Sequence, residues 1–171
     1  MTVAVILSIA DPEAMAQLGT TLAAELRAGD TVLLTGELGA GKTTLTRGLG
    51  AALGVRGAVT SPTFVLARTH PRIDGPSLVH VDAYRLRDAA ELDDLDLDFT
   101  GSIVVVEWGA GLLEHLVDEW LSITIERPTG AGAAAAATGD ADDAPIEPRT
   151  VTVEGVGPRW ADLGWLHAAR D

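Results

Sequence analysis

Cysteine and asparagine are absent from this 171-residue sequence, and lysine and tyrosine each occur once. Without cysteine there is no disulfide, no thiolate zinc site and no cysteine-held iron–sulfur cluster. Basic residues are scarce: 12 Lys and Arg stand against 25 Asp and Glu, a formal net charge of −13. Such a surface repels phosphate backbones, because nucleic-acid affinity comes largely from Lys and Arg neutralising phosphates. A direct grip on nucleic acid is therefore not expected, although a nucleic-acid pathway can be served through a protein partner. Long apolar runs are also missing. None approaches the ~18 residues of a membrane span, and the N-terminal run lacks a basic lead and is broken by Ser8 and Asp11. The expectation is a soluble cytoplasmic protein. Its length fits one domain, residues 1–171, and its 47% hydrophobic content supports a sizeable core.

The pattern along the chain alternates strands and helices early and places hairpins late. "VAVILSIA" is rich in β-formers. Asp11 then suits an N-cap and Pro12 a first helical position, with Met15, Leu18, Leu22 and Leu26 at helical spacing and Gly29 closing the segment. "TVLLT" is apolar throughout, as a buried parallel strand tends to be. A helix follows the next loop and ends at Gly54. Residues 64–81 read as a hairpin around "PRIDGP", and Leu86 to Phe99 as a short acidic helix or turn. "SIVVVEW" is a second buried strand, and "GAGLLEHLV" a short helix. "WLSITIER" and "RTVTVEG" alternate apolar and polar residues. Between them, residues 128–148 form a low-complexity Ala/Gly/Asp tract, read as a disordered insert in a hairpin. "PRWADLGWLHAARD" reads as a short amphipathic helix anchored by Trp160, Leu163 and Trp165 or Leu166. Together these predict an α/β fold: a mixed, mainly parallel sheet flanked by helices, with antiparallel edge hairpins.

One segment carries chemistry. Gly36-Glu37-Leu38-Gly39-Ala40-Gly41-Lys42-Thr43 fits G-x-x-x-x-G-K-[ST], the P-loop, with Thr44 following. Its glycines let successive amides curl round an oxyanion, and the next helix adds the positive end of its dipole. Lys42 is placed to reach phosphate oxygens, and the Thr43 hydroxyl to ligate Mg²⁺. A buried strand before and a helix after are the context that this motif requires. The single lysine of the chain is the one this pocket needs, since arginine does not replace a compact ammonium between phosphates. A P-loop also needs a carboxylate near the metal, and Asp82 and Glu107 each end an apolar run. Each can equally be an ordinary strand-end residue. With no asparagine and no second lysine, the N-K-x-D guanine motif is impossible. No arginine-rich lid of a small kinase is visible.

"GELGAGKTT", "TSPTF", "HVDAYRL", "ELDDLDLDF" and "VVVEW" occur in that order, and together they resemble the TsaE (YjeE) family. These are small P-loop ATPases of bacterial tRNA threonylcarbamoyladenosine (t6A) synthesis. The resemblance spans Asp11 to Trp108, with the closing hairpin and helix also fitting. It implies a P-loop NTPase-type fold with ATP and Mg²⁺ as cofactors. It also implies catalytic roles for Lys42, Asp82 and Glu107, metal binding by Thr43 and Glu107, and nucleotide contacts along Gly36 to Thr44. The Ser61–Phe64 loop, with Thr63 in the position of a phosphate sensor, would respond to nucleotide. ATP would lie near Asp11 to Glu13, and Arg149, opening the last strand, would sit close to it. TsaD and TsaB would be the protein partners. TsaD transfers threonylcarbamoyl to adenosine 37 of tRNA, and this chain would hydrolyse ATP to reset or drive that complex, meeting tRNA only indirectly. Two departures stand out: "EWGAGLL" lacks the proline or charged residue that often follows the tryptophan, and the Ala/Gly/Asp tract is long.

Other residues divide between site and scaffold. His80 falls two before Asp82, on the same strand face, and reads as a satisfied core histidine rather than an Mg²⁺ ligand. Trp108 reads as packing over the nucleotide site, and Tyr84 and Arg85 as surface residues or partner contacts. Two other functions fit the same residues: a nucleotide-dependent binding module in which hydrolysis is secondary, and a small-molecule kinase.

Overall fold

The computed structural model describes residues 2–37, 39–57, 59, 66–128 and 147–168. Among these residues seven strands form one sheet: β1 (Thr2–Ile9), β2 (Thr31–Gly36), β3 (Ala67–His70), β4 (Leu78–Asp82), β5 (Ile103–Glu107), β6 (Trp120–Glu126) and β7 (Arg149–Val156). Their spatial order is β1-β7-β6-β2-β5-β4-β3. The inner pairs β6–β2, β2–β5 and β5–β4 are parallel, while β3, β7 and β1 join antiparallel at the two edges. The expected mixed α/β sheet with antiparallel edges is thus observed.

Burial explains the composition of each strand. Val32 and Leu34 of β2, Ile103 and Val105 of β5, and Leu78 of β4 face one core, whereas Leu33, Val79, Val81, Val104 and Val106 face the other. Strands covered on both sides read as unbroken apolar runs. β6 and β7 bury one face, with Leu121, Ile123, Ile125, Val151, Val153 and Gly155 inward, so their sequences alternate.

The first core is roofed by α1 (Pro12–Glu25) and α2 (Lys42–Leu53). Asp11 caps α1, its Oδ1 accepting the Ala14 amide at 2.8 Å. The two helices cross at Gly19 and Gly48, where no side chain fits. A Cβ on Gly48 would lie 2.4 Å from the Ala16 carbonyl oxygen, and one on Gly19 2.5 Å from the Leu49 nitrogen. α2 ends on Gly54 in the left-handed conformation (φ 74°), as expected.

α1 ends at Glu25, short of the expected glycine closure at Gly29. A residue far along the chain meets that end. Arg159 donates to the Glu25 carbonyl at 2.7 Å and to both Asp30 oxygens at 3.2 and 3.0 Å, while Asp30 also accepts the Arg27 amide at 2.8 Å. This clasp satisfies a carbonyl that the end of the helix leaves without a partner. The C-terminal segment also departs from a single helix. It forms a 3₁₀ turn, Pro158–Trp160, then α4 (Trp165–Ala168), interrupted where Asp162 accepts the Gly164 amide at 2.8 Å. Trp160, Leu163 and Leu166 are its buried anchors.

On the second face, α3 (Ala89–Asp93) is capped by Asp88 and buries Leu92, while Leu95 and Leu97 pack half-buried against the same core, so the acidic run turns its leucines inward and leaves its charges outside. "GAGLLEHLV" contracts to a 3₁₀ turn at Leu113–His115 that buries Leu113. Among the described residues no helix is long and apolar enough to cross a membrane. The low-complexity insert predicted at 128–148 lies mostly outside the described residues.

Gly48→Ala is expected to cost about 1–3 kcal/mol, the usual range for overpacking. Urea denaturation measures this, and a wild-type midpoint would mean that the helices separate freely.

Candidate functional site

The parallel register decides where the chemistry gathers. Leu34 pairs with Glu107, and Glu107 with Asp82, so β2, β5 and β4 end level with one another. The glycine-rich loop leaves β2 at that same edge, beyond the carboxyl ends of the strands, where open α/β sheets bind ligands. Gly39 (φ 81°) and Gly41 (φ 119°) take left-handed conformations that bend the loop into the start of α2. Gly36 has no space for a side chain either, since a Cβ there would meet the Ile125 carbonyl oxygen at 2.9 Å.

A cavity of about 630 Å³ opens at this edge. The loop residues Glu37, Gly39, Gly41, Lys42, Thr43 and Thr44 form one wall, and Asp82, Tyr84, Glu107 and Trp108 the other. Lys42 is buried, with 8% exposure. Its ammonium donates to the Gly36 carbonyl and lies 4.1 Å from the centre of the Trp108 ring. Burial pushes the Lys42 pKa below the ordinary lysine value, and the carboxylates of Glu107 and Asp82 pull it back up.

Trp108 owes its position to a rare backbone conformation. Its φ is +62°, in the left-handed region that bulky residues seldom adopt. Its amide still reaches the Leu34 carbonyl at 3.3 Å, while its side chain swings over the loop. Tyr84 meets it edge-on with ring centroids 5.4 Å apart, and the Asp82 Oδ1 accepts the Tyr84 amide at 3.0 Å. Strained backbone of this kind gathers at ligand sites. Glu107 is 4% exposed, and its Oε2 lies 3.0 Å from the Nε2 of the wholly buried His80.

A sequence model of the threonylcarbamoyl adenosine biosynthesis protein TsaE matches residues 9–134. The chain belongs to the TsaE family. A TsaE protein of Streptomyces coelicolor is 58% identical over 151 residues, which cover 86% of this chain and 94% of that protein. One of Mycobacterium bovis is 52% identical over 120 residues, 64% of this chain and 71% of the relative. Among solved structures, Bacillus subtilis YdiB superposes with a TM-score of 0.70 at 29% identity, covering 99% of this chain and 96% of YdiB. The sheet and helices thus form the P-loop fold of this family.

Within this TsaE fold, Glu37, Gly39, Gly41, Lys42, Thr43, Thr44, Asp82 and Glu107 meet at the cavity. Gly36 and Ala40 stand behind it and offer carbonyls to Lys42 and Arg149. Arg149 donates from Nε to the Ala40 carbonyl at 3.1 Å, and so braces the loop from β7. Asp11 is not among the residues that line the cavity, and its carboxylate caps α1. The adjacent first turn of that helix backs the loop, since a Cβ on Gly41 would lie 3.2 Å from the Met15 methyl. Leu38, Thr63 and the Ser61–Phe64 segment lie outside the described residues.

Two neighbours were not foreseen from the sequence. Glu147 bridges Arg149 and Arg127, each at 3.4 Å, and Arg127 extends from the end of β6 to within 3.9 Å of a Cβ built on Gly39. Only the strand order brings β6 beside the loop, through the pairing of Ile125 with Gly36. No spacing rule carries that information.

The donor set suits magnesium rather than zinc. Among the described residues no group of three or more His, Cys, Asp or Glu side chains could hold a metal by itself. Thr43, Asp82 and Glu107 supply oxygen only, and Mg²⁺ typically takes one or two carboxylates and completes its shell with water and phosphate.

Arg149→Met removes a charge-assisted bond to the loop. It is expected to lower stability by about 1.5–3 kcal/mol, read as a drop in the thermal unfolding midpoint; an unchanged midpoint would mean the brace is idle.

Proposed function

We propose that the chain binds Mg²⁺–ATP and hydrolyses it in support of t6A formation on tRNA, acting with TsaD and TsaB. The observation that carries this reading is the single cavity in which the loop residues Lys42 and Thr43 face the strand-end carboxylates Asp82 and Glu107. A phosphate tail entering it meets the amides of Gly39 and Gly41 and the N-terminus of α2. Lys42 has three donor hydrogens and spends one on Gly36, so others remain for phosphate oxygens. Thr43 and Glu107 are the metal-side residues, and Asp82 organises the metal's water shell or the attacking water. When bound, Mg²⁺ would supply positive charge to the phosphate tail. Arg149 and the capped start of α1 near Asp11 hold the nucleoside side of the loop. Leu38 completes the loop, and Thr63 is the residue proposed to sense the γ-phosphate.

No arginine lines the cavity among the described residues. An arginine finger is worth ~10³–10⁵ in rate where one is supplied, so hydrolysis by the isolated chain is slow and rises on assembly. The partner proteins, not this acidic surface, carry the contact with tRNA. The same missing arginine favours a second reading, in which ATP is mainly a switch ligand for assembly.

Lys42→Ala is expected to weaken Mg²⁺–ATP binding at least tenfold, about 1.4 kcal/mol, by isothermal calorimetry. Undiminished affinity would remove the cavity from consideration. Asp82→Ala is expected to leave assembly with TsaD and TsaB intact while abolishing tRNA modification; retention of both would favour the switch reading.

A further inference from the structure

His80 is fully buried, with 0% exposure, in a strand whose other residues are apolar except at its end. Along β4, Leu78, His80 and Asp82 share the face turned to α2, and along β5 so do Ile103, Val105 and Glu107. The register sets His80 opposite Val105 and Asp82 opposite Glu107, so the imidazole reaches Glu107 along the diagonal. Nε2 and Oε2 are 3.0 Å apart, the one hydrogen bond that the Glu107 carboxylate makes among the described residues. In the tautomer that carries hydrogen on Nε2, the imidazole donates to this oxygen.

The other ring nitrogen shows what this histidine is for. Nδ1 is buried and has no hydrogen-bond partner among the described residues. Orphaned polar atoms in a core are disfavoured, and a leucine would fill the same apolar surroundings without one. Among the described residues the contact with Glu107 is the one polar contact the imidazole makes.

We propose that His80 is a positioning residue: its Nε2–H holds one oxygen of Glu107, so that the carboxylate is fixed with its second oxygen available to the cavity it lines. This rests on reading the cavity as a Mg²⁺–ATP site. Groups that orient metal-side ligands in this way typically contribute ~10–100-fold to metal affinity. His80 itself does not line the cavity, and Glu107 remains beside Lys42 in its absence, so nucleotide binding without metal is expected to depend on His80 far less than binding with metal.

The test compares ATP binding by calorimetry, in excess chelator and in excess magnesium, for the wild-type chain, His80→Gln and His80→Leu, with thermal unfolding of each. Gln can place an amide N–H near the position of Nε2; Leu cannot donate. In chelator all three are expected to bind ATP within about twofold of each other. The gain in affinity on adding magnesium is expected to fall about tenfold or more in the Leu variant and to be largely restored by Gln. Should the Leu variant not fold, His80→Asn, too short to reach Oε2, takes its place against Gln. A full magnesium gain in the non-donating variant overturns the proposal. So does a loss that is equal with and without magnesium and follows the unfolding temperature, which marks a purely structural histidine. If the wild-type chain itself gains nothing from magnesium, the reading of the cavity fails first and the role of His80 with it.

Discussion

Lys42 holds the only ammonium that a lysine provides in this chain, and it is buried where the loop, β4 and β5 come together. Burial works against its charge, and the nearby carboxylates of Glu107 and Asp82 work for it. The Gly36 carbonyl and the face of Trp108 take up what remains. Every other part of the site can be seen as a means of holding that cation in place. The left-handed glycines deliver it from the loop, the strand ends bring the anions level, and the strained backbone at Trp108 lays an aromatic surface over it.

The scaffold makes this arrangement rigid. β2, β4 and β5 are buried on both faces, so sliding one strand by a residue would turn its apolar side chains to the wrong core. The levels of Asp82, Glu107 and the loop are therefore set by hydrophobic packing along the strands. The crossing at Gly19 and Gly48 seats α2, and with it the first turn that carries Lys42 and Thr43.

Much of this was legible in the residues because the chemistry is local. A P-loop is contiguous, and the strand-end acids follow runs whose burial is plain from composition. The TsaE resemblance rested on five such short stretches, and the family assignment agrees with it. What stayed hidden was set by distance along the chain. Where α1 ends, the Glu25 carbonyl is taken by Arg159, a residue 134 positions away. Arg127 and Glu147 reach the loop through the neighbour relation of β6 and β2, which hydrophobic pattern does not specify. His80 was placed on the right strand face, but its partner on β5 depended on a register that only the folded sheet defines.

The clasp made by Arg159 sits at the opposite end of β2 from the glycine-rich loop. It joins the turn before that strand to the segment that follows the last one, and Glu119 at the entrance to β6 accepts the Arg159 amide at 3.2 Å. The far tail of the polypeptide is thus buckled to the foot of the strand whose other end delivers the loop. Cutting the chain just after β7 would spare every wall of the cavity, yet it would unfasten the base on which that wall stands. Tags or fusions appended beyond α4 therefore load the same lever from its distal end.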